Sequence, residues 1–218
     1  MKHLFRLLLL LCVFIFCSLN ASWRIVVKGG LPVILSVCEG DLTKEKAVIK
    51  ASFTAAYQGT EIARIVQEKH GNLARFLDVA FEAEEIDFFS KKSDTFFVSA
   101  KKDDGEVIGF VAFDKNSDIE GESFYVYVRQ LAVHSKYQHN NLGLFLIFSF
   151  LNIWPDCRFV KLLTRRLNSI AVGFYKRLGF RECEYVREGY DPGVYVGLEY
   201  AFDSTVAGTI YECYYSTC

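Results

Sequence analysis

Apolar and polar positions along this chain follow two different periods. The run LPVILSV, Leu31 to Val37, reads as a strand broken at Gly40-Asp41. Beyond it the apolar spacing lengthens to three and four residues. Ala47, Val48, Ala51 and Ala55 make one stripe of a helix that Asp41 or Thr43 would cap and that ends near Tyr57. A second helix starts at Thr60 and runs to about Lys69. After His70-Gly71-Asn72, a third continues from Leu73 to Phe89, with Leu73, Phe76, Leu77 and Phe81 on its stripe.

The period then falls to two. TFFVSAK (Thr95 to Lys101), the turn Asp103-Asp104-Gly105 and EVIGFVAFD (Glu106 to Asp114) predict a hairpin. Gly121 marks the next turn. Glu122 to Val133 predicts a long strand, with Phe124, Val126 and Val128 on one face and Tyr125, Tyr127 and Arg129 on the other. A polar loop follows, then a helix from Leu142 to Ile153 stopped by Pro155. Phe159 to Thr164 is a buried strand. Asn168 caps a helix to Leu178 that Gly179 terminates. Phe180 to Arg187 and Val194 to Phe202 complete the pattern. The predicted order is β-α-α-β-β-β-α-β-α-β-β: an α/β chain with a mixed sheet, in a single domain over 23–218 that no linker composition divides.

Residues 1–22 differ. Lys2, His3 and Arg6 precede an uncharged apolar run from Leu7 to Cys17, and Ser18, Asn20, Ala21 and Ser22 follow. This is the order of a secretory leader. The run falls short of the ~20 apolar residues of a spanning helix. Cleavage after Ala21 would put Leu19 where a small residue is preferred, so an uncleaved membrane anchor through residues 4–19 stays open, as does a buried strand or helix.

Apolar residues are 51% of the chain and aromatics 16%, enough for a substantial core. A formal charge of −1 excludes a nucleic-acid partner that relies on a broadly basic surface. No C-x-x-C occurs and there are four His, so a zinc site or other metal is not expected. Cys38, Cys157 and Cys183 read as small buried side chains. Cys213 and Cys218 could pair within a Tyr- and Cys-bearing tail over 203–218.

The chemistry concentrates after the long strand, in YQHNNLGLFL. A strand that feeds a loop and then a helix start offers unpaired N–H groups and a partial positive charge. Phosphate oxygens accept those bonds where the backbone can come close. In Gln138-His139-Asn140-Asn141-Leu142-Gly143, Gly143 gives that access, and Asn141 is the non-glycine type that best tolerates a left-handed backbone. Taken alone the stretch reads sooner as a plain helix-initiating turn than as a phosphate cradle.

RQLAVHSKYQHNNLGLFLI resembles the cofactor motif of the GNAT superfamily of N-acetyltransferases: a strand, a Gln/Arg-x-x-Gly-x-Gly/Ala loop and a helix. NSIAVGFYKRLGF, Asn168 to Phe180, resembles the second hallmark of that family, an Asn, a helix with a Tyr, and Leu-Gly-Phe. The resemblance covers roughly Thr95 to Tyr200, with the cofactor motifs in 122–180. It implies a GNAT-like acyl-CoA N-acyltransferase fold and acetyl-CoA as cosubstrate. It also implies an amine acceptor, small molecule or protein, reached by direct attack in a ternary complex, in a monomer or homodimer.

By that resemblance, main-chain groups of Leu131, Ala132 and Val133 would bond the pantetheine arm. The pyrophosphate would sit on Gln138, His139, Asn140, Asn141, Leu142, Gly143 and Leu144, and Asn168 would contact the arm. Tyr175 would stand by the sulfur as the acid for the leaving thiolate, and the Val133 amide would polarise the thioester carbonyl. No residue stands out as general base. His134 suits a turn, and water relayed through Tyr125, Tyr127 or the acidic stretch Glu82 to Asp87 stays open. The loop lacks the Arg or Lys common in the family. A weak or inactive GNAT-fold binding module is therefore one alternative. An exported or tethered interaction protein, docking through Tyr211, Tyr214 and Tyr215, is another. The leader-like start points to export or anchoring, whereas acetyl-CoA use points to a cytosolic site of action.

Overall fold

The computed structural model of the protein describes residues 22–38, 41–89, 95–117, 124–185, 187 and 189–202. Two short strands come first, β1 (Ser22–Val26) and β2 (Pro32–Val37). Three helices follow: α1 (Thr43–Tyr57), α2 (Glu61–His70) and α3 (Leu73–Phe89). Strands β3 (Thr95–Lys101), β4 (Val107–Ser117) and β5 (Phe124–Val133) lead through a 3-10 turn to α4 (Leu142–Phe148). The chain closes with β6 (Phe159–Arg165), α5 (Ser169–Arg177), β7 (Arg181–Cys183) and β8 (Tyr195–Ala201).

The expected mixed α/β order is present, with one further strand; the three helical stretches read before the hairpin are three separate helices, one more than the predicted order counts. The added strand, β1, begins at Ser22, inside the segment assigned to a leader. It pairs with β2 from Ser22↔Ser36 to Val26↔Pro32, and it buries only Ile25 fully. Five residues with one buried side chain leave little period to detect. The leader-like run, the Tyr- and Cys-bearing tail and Glu122 lie outside the described residues, as do the side chains of Glu84, Glu85 and Asp87. No helix among the described residues is long and apolar enough to cross a membrane.

The strands form one sheet in the order β1-β2-β3-β4-β5-β6-β8-β7. All pairs are antiparallel except β5–β6. That parallel pair is short, running from Tyr125↔Phe159 to Val128↔Leu162, whereas β4 stays paired with β5 as far as Gly109↔Val133. The divergence starts at a bulge. Ala112 pairs with Gln130 but Phe113 pairs with Val128, so Arg129 is the extra residue. A bulge bends its strand and re-aims the residues beyond it. It also resets the face parity: Val126 and Val128 pack in the same core as Leu131 and Val133.

Two cores flank the sheet. On one face, α4 and α5 cover Val111, Phe113, Val128, Val160 and Leu198. Gly109 lets α4 settle close, since a Cβ there would stand 2.7 Å from Leu146 Cδ1. On the other face, Val48 and Ile49 of α1 and Phe81 of α3 pack on Phe97, Phe110 and Ala132. Each fully buried Phe contributes about 1.5–3 kcal/mol. Glu45 is buried there and accepts from Ser99 Oγ, which lies 2.7 Å from the Cys38 thiol.

Two predicted elements are shorter than expected. The helix at Leu142 is α-helical only to Phe148, and Ser149–Asn152 tighten into a 3-10 turn that seats Phe150 in the core. The strand expected over Phe180 to Arg187 pairs only at Arg181–Cys183. The Tyr185 carbonyl then crosses over Gly197, 2.2 Å from where a Cβ would be, which lifts the chain out of the ladder. Cys38 and Cys157 are buried free thiols as expected, whereas Cys183 is only partly covered.

Candidate functional site

Past Val128, β5 has a partner on one side only. In an antiparallel ladder the polar groups of successive residues point alternately to the two sides. The His134 amide donates to the Ile108 carbonyl at 2.9 Å, so Ala132 also directs its main-chain groups towards β4. Those of Leu131 and Val133 face the gap that β6 has left. The expectation of a bond from Ala132 to a bound cofactor is thus corrected by parity, and its side chain is 1% exposed in the core. The Val133 carbonyl accepts from Gln138 Nε2 at 3.1 Å, leaving the Val133 N–H directed into the gap.

The loop after β5 is built by local bonds. His134 Nδ1 accepts from the Lys136 amide at 3.3 Å, so this imidazole serves the turn. His139 and Asn141 have φ of 64° and 69°, in the left-handed region, and Asn141 is the residue from which α4 starts. Asparagine fills this conformation where a glycine would otherwise be needed. The Lys28 amide donates to the Asn140 carbonyl at 3.0 Å and ties the loop to the β1–β2 hairpin.

The seven loop amides divide. Gln138 donates to Ser135 O, Leu142 to Asn140 Oδ1 at 3.1 Å and Leu144 to Asn141 O at 3.0 Å. These three are corrections to the expected cradle, because a helix start satisfies them internally. The amides of His139, Asn140, Asn141 and Gly143 have no partner among the described residues. The absence of a side chain at Gly143 serves packing as much as access: a Cβ would lie 3.1 Å from Phe174 Cζ of α5.

A cavity of about 500 Å³ opens beneath this loop. It brings together Leu131 and Val133 from the strand, Gln138, His139, Asn141 and Gly143 from the loop, and Leu144, Asn168 and Tyr175 from the helices. Ala132, Asn140 and Leu142 do not line it. Asn168 Oδ1 accepts from the Ala171 amide at 3.1 Å and caps α5, which leaves its NH2 for another partner. Tyr175 is 8% exposed and its ring packs on Phe174 and Phe180. Its hydroxyl has no hydrogen-bond partner among the described residues. Burial pushes the phenol pKa well above its ordinary value, and the neighbouring phenols Tyr127 and Tyr57 add to the shift.

Several lining residues were not singled out from the sequence, Ser52, Phe53, Ala56 and Arg177 among them. Ser52, Phe53 and Ala56 of α1 close one wall, and no local signal marks them. Arg177 closes the other; its guanidinium lies 3.4 Å from the Cβ position of Gly173. It stands two residues after Tyr175 in the second motif, so the signal was present. The donors suit a diphosphate on an extended arm: free amides at a helix start, an unpaired strand edge and one cation.

A model of the acetyltransferase (GNAT) family matches residues 60–180. Among solved structures, PH1933 from Pyrococcus horikoshii OT3 is similar, with a TM-score of 0.56 and 16% identity, over 78% of this chain and 99% of that one. The PaiA N-acetyltransferase from Thermoplasma acidophilum, solved in complex with coenzyme A, gives a TM-score of 0.52 and 19% identity, over 77% and 99% of the two chains. These likenesses concern the fold. No curated protein sequence matches the chain significantly. The matching family model spans more than half of the sequence, including β5, the loop, α4 and α5 that border the cavity; the chain belongs to the acetyltransferase (GNAT) family.

Proposed function

We propose that this acyltransferase moves an acetyl group from acetyl-CoA to an amine by direct attack in a ternary complex. One observation carries the reading. The unpaired edge of β5, three residues with free loop amides (His139, Asn141 and Gly143) and Tyr175 all border a single cavity. When bound, acetyl-CoA supplies an activated carbonyl and a thiolate leaving group.

Each residue has its own part. The amides of His139, Asn141 and Gly143 hold the diphosphate, and Arg177 adds the cation that the loop lacks. Leu131 and Val133 offer main-chain groups to the arm in the manner of an added strand. The Val133 N–H donates towards charge developing on the carbonyl oxygen. Tyr175 stays protonated across the neutral range. An ordinary thiol has a pKa of about 8.5, below that of a buried phenol, so full proton transfer to the thiolate is uphill. The role that fits is a hydrogen-bond donor to the developing thiolate.

No carboxylate of the described residues is unpaired on the acceptor side. Asp114 is held by Arg129 and Arg187, and Glu199 by Lys161. The Tyr127 phenol, pushed up to about 12 chiefly by burial, is a poor acid at neutral pH, so little of it is in the basic form. Deprotonation of the amine therefore runs through water. Use of acetyl-CoA also favours a site of action in a compartment that contains it.

Titration calorimetry of the chain with acetyl-CoA tests the reading, alongside Asn141→Gly and Asn141→Trp. Binding in the micromolar range is expected for the native chain and the glycine variant, with loss in the tryptophan variant. Binding without CoA release across an amine panel would leave a binding module in place of an enzyme.

A further inference from the structure

The sheet face opposite α4 and α5 carries a second group of side chains. Val126, Val128, Leu162, Val196 and Leu198 all point into the core under α4 and α5. Side chains alternate along a strand, so Tyr127, Arg165 and Tyr195 project to the other face, towards α1. Tyr57, the last residue of α1, meets them there.

Cations on this face lie over aromatic rings. The Arg165 guanidinium is 5.2 Å from the Tyr195 ring centre and 6.0 Å from that of Phe76. Arg187 lies 5.1 Å from the Tyr127 ring. Most of these cations also have a carboxylate. Lys161 Nζ is 3.2 Å from Glu199, Arg129 is 3.3 Å from Asp114, and Arg187 is 3.7 Å from Asp114. Arg165 is the exception. It is partly buried at the end of β6 and has no carboxylate within ion-pair reach among the described residues. Its electrostatic partner is the Tyr57 phenol.

Arg165 does not itself line the cavity but joins it through an aromatic cluster, since Phe76, over which it lies, packs with Tyr57 and Phe53. Tyr57 packs edge-on against Phe53, with ring centres 5.5 Å apart, and Phe53 lines the cavity that holds Tyr175. Tyr57 and Tyr175 are close enough to interact electrostatically. A guanidinium that has left bulk water and lacks an anion is a ready carboxylate site, because its planar fork matches both oxygens. The same surroundings oppose a polyamine, since among the described residues the four cations Arg129, Lys161, Arg165 and Arg187 face two carboxylates and repel a further positive charge.

We propose that the acceptor is an amine that also carries a carboxylate, of the amino-acid class, and that Arg165 binds that carboxylate while the amine points towards Tyr175. This rests on the acetyltransferase reading. The aromatic rings of Phe76 and Tyr195 hold the guanidinium in place, and the ligand supplies the missing charge.

The test uses matched acceptor pairs that differ only by the carboxylate: phenylalanine and phenethylamine, tyrosine and tyramine, lysine and cadaverine. CoA release is followed with the full chain, with Arg165→Lys, and with Arg165→Met, which keeps the aliphatic stem. The native chain should favour the carboxylate member by about tenfold or more in kcat/KM, mainly through KM. Arg165→Met should abolish the preference and Arg165→Lys restore part of it. A preference for the decarboxylated member, or one that survives in Arg165→Met, overturns the proposal. If nothing turns over, saturation-transfer NMR of the same pairs on the coenzyme-loaded chain decides. Carboxylate binding that depends on Arg165 supports the proposal and its absence overturns it. Failure of acetyl-CoA to bind instead overturns the acetyltransferase reading itself.

Discussion

Gln138 Nε2 donates to the carbonyl of Val133 at 3.1 Å and so fastens the first residue of the loop to the open edge of β5. The bond spans the two parts of the site, the strand that would hold the arm and the loop that would hold the diphosphate. It also removes one acceptor from the edge, which leaves the Val133 N–H as the group directed into the gap.

Gln138→Ala should therefore loosen the loop without unfolding the chain. A neutral hydrogen bond contributes about 0.5–1.5 kcal/mol, so acetyl-CoA affinity should fall about two- to tenfold. Calorimetry reads the affinity and thermal melting the fold. An unchanged dissociation constant would show that the loop holds its shape without this bond.

Tyr175→Phe removes a hydroxyl that bonds nothing within the described protein. Stability should stay within about 0.5 kcal/mol of the native chain. Coenzyme binding should persist while kcat falls by about ten- to a hundredfold, the loss of one hydrogen bond of about 1.5–3 kcal/mol to a developing charge. The pH dependence comes from the sign of the shift. The protonated phenol is the active form and its pKa is raised, so no activity should be lost to Tyr175 ionisation as pH rises towards 9. An alkaline limb below that pH which disappears in the phenylalanine variant would contradict the assignment.

The Cys38 thiol is pushed from 9.0 to about 12, mainly by burial. A pKa raised by folding means that the neutral form is favoured in the folded chain. The stability linked to this group is complete below about pH 9 and is lost as pH rises from there through about 12. Alkaline denaturation should begin at a higher pH in Cys38→Ala, provided that variant folds. In the native chain at pH 8, alkylating reagents should leave Cys38 unmodified until denaturant is added. Rapid labelling of the folded chain at Cys38, read by peptide mass, would count against its burial.

Gly197 and Gly109 make a contrasting pair. Alanine at 197 would press its Cβ to 2.2 Å from the Tyr185 carbonyl, a backbone atom, whereas at 109 it meets the end of the Leu146 side chain at 2.7 Å. Gly197→Ala should cost upwards of about 2 kcal/mol and detach β7, while Gly109→Ala should cost about 1–3 kcal/mol through overpacking under α4. Urea denaturation orders the two, and a larger cost at 109 would refute the backbone argument.

Local spacing alone determined most of this fold. The period of two in TFFVSAK and EVIGFVAFD, the helical stripe of α3, Asn168 as a cap and Gly179 as a stop are all found where the sequence places them. The loop and the tyrosine were legible as well, because both motifs are contiguous. Tertiary structure decided which groups are available to a ligand. The bulge at Arg129 arises from pairing with β4 and turns Leu131 and Val133, but not Ala132, towards the gap. The short β5–β6 pairing opens that gap, and Phe53 of α1 closes it from far away in sequence. The presence of Arg165 is plain in the sequence, but its lack of a carboxylate partner among the described residues is not. Periodicity records whether a residue is buried; which partner satisfies its polar groups depends on register and on contacts between distant segments, and no local pattern carries these.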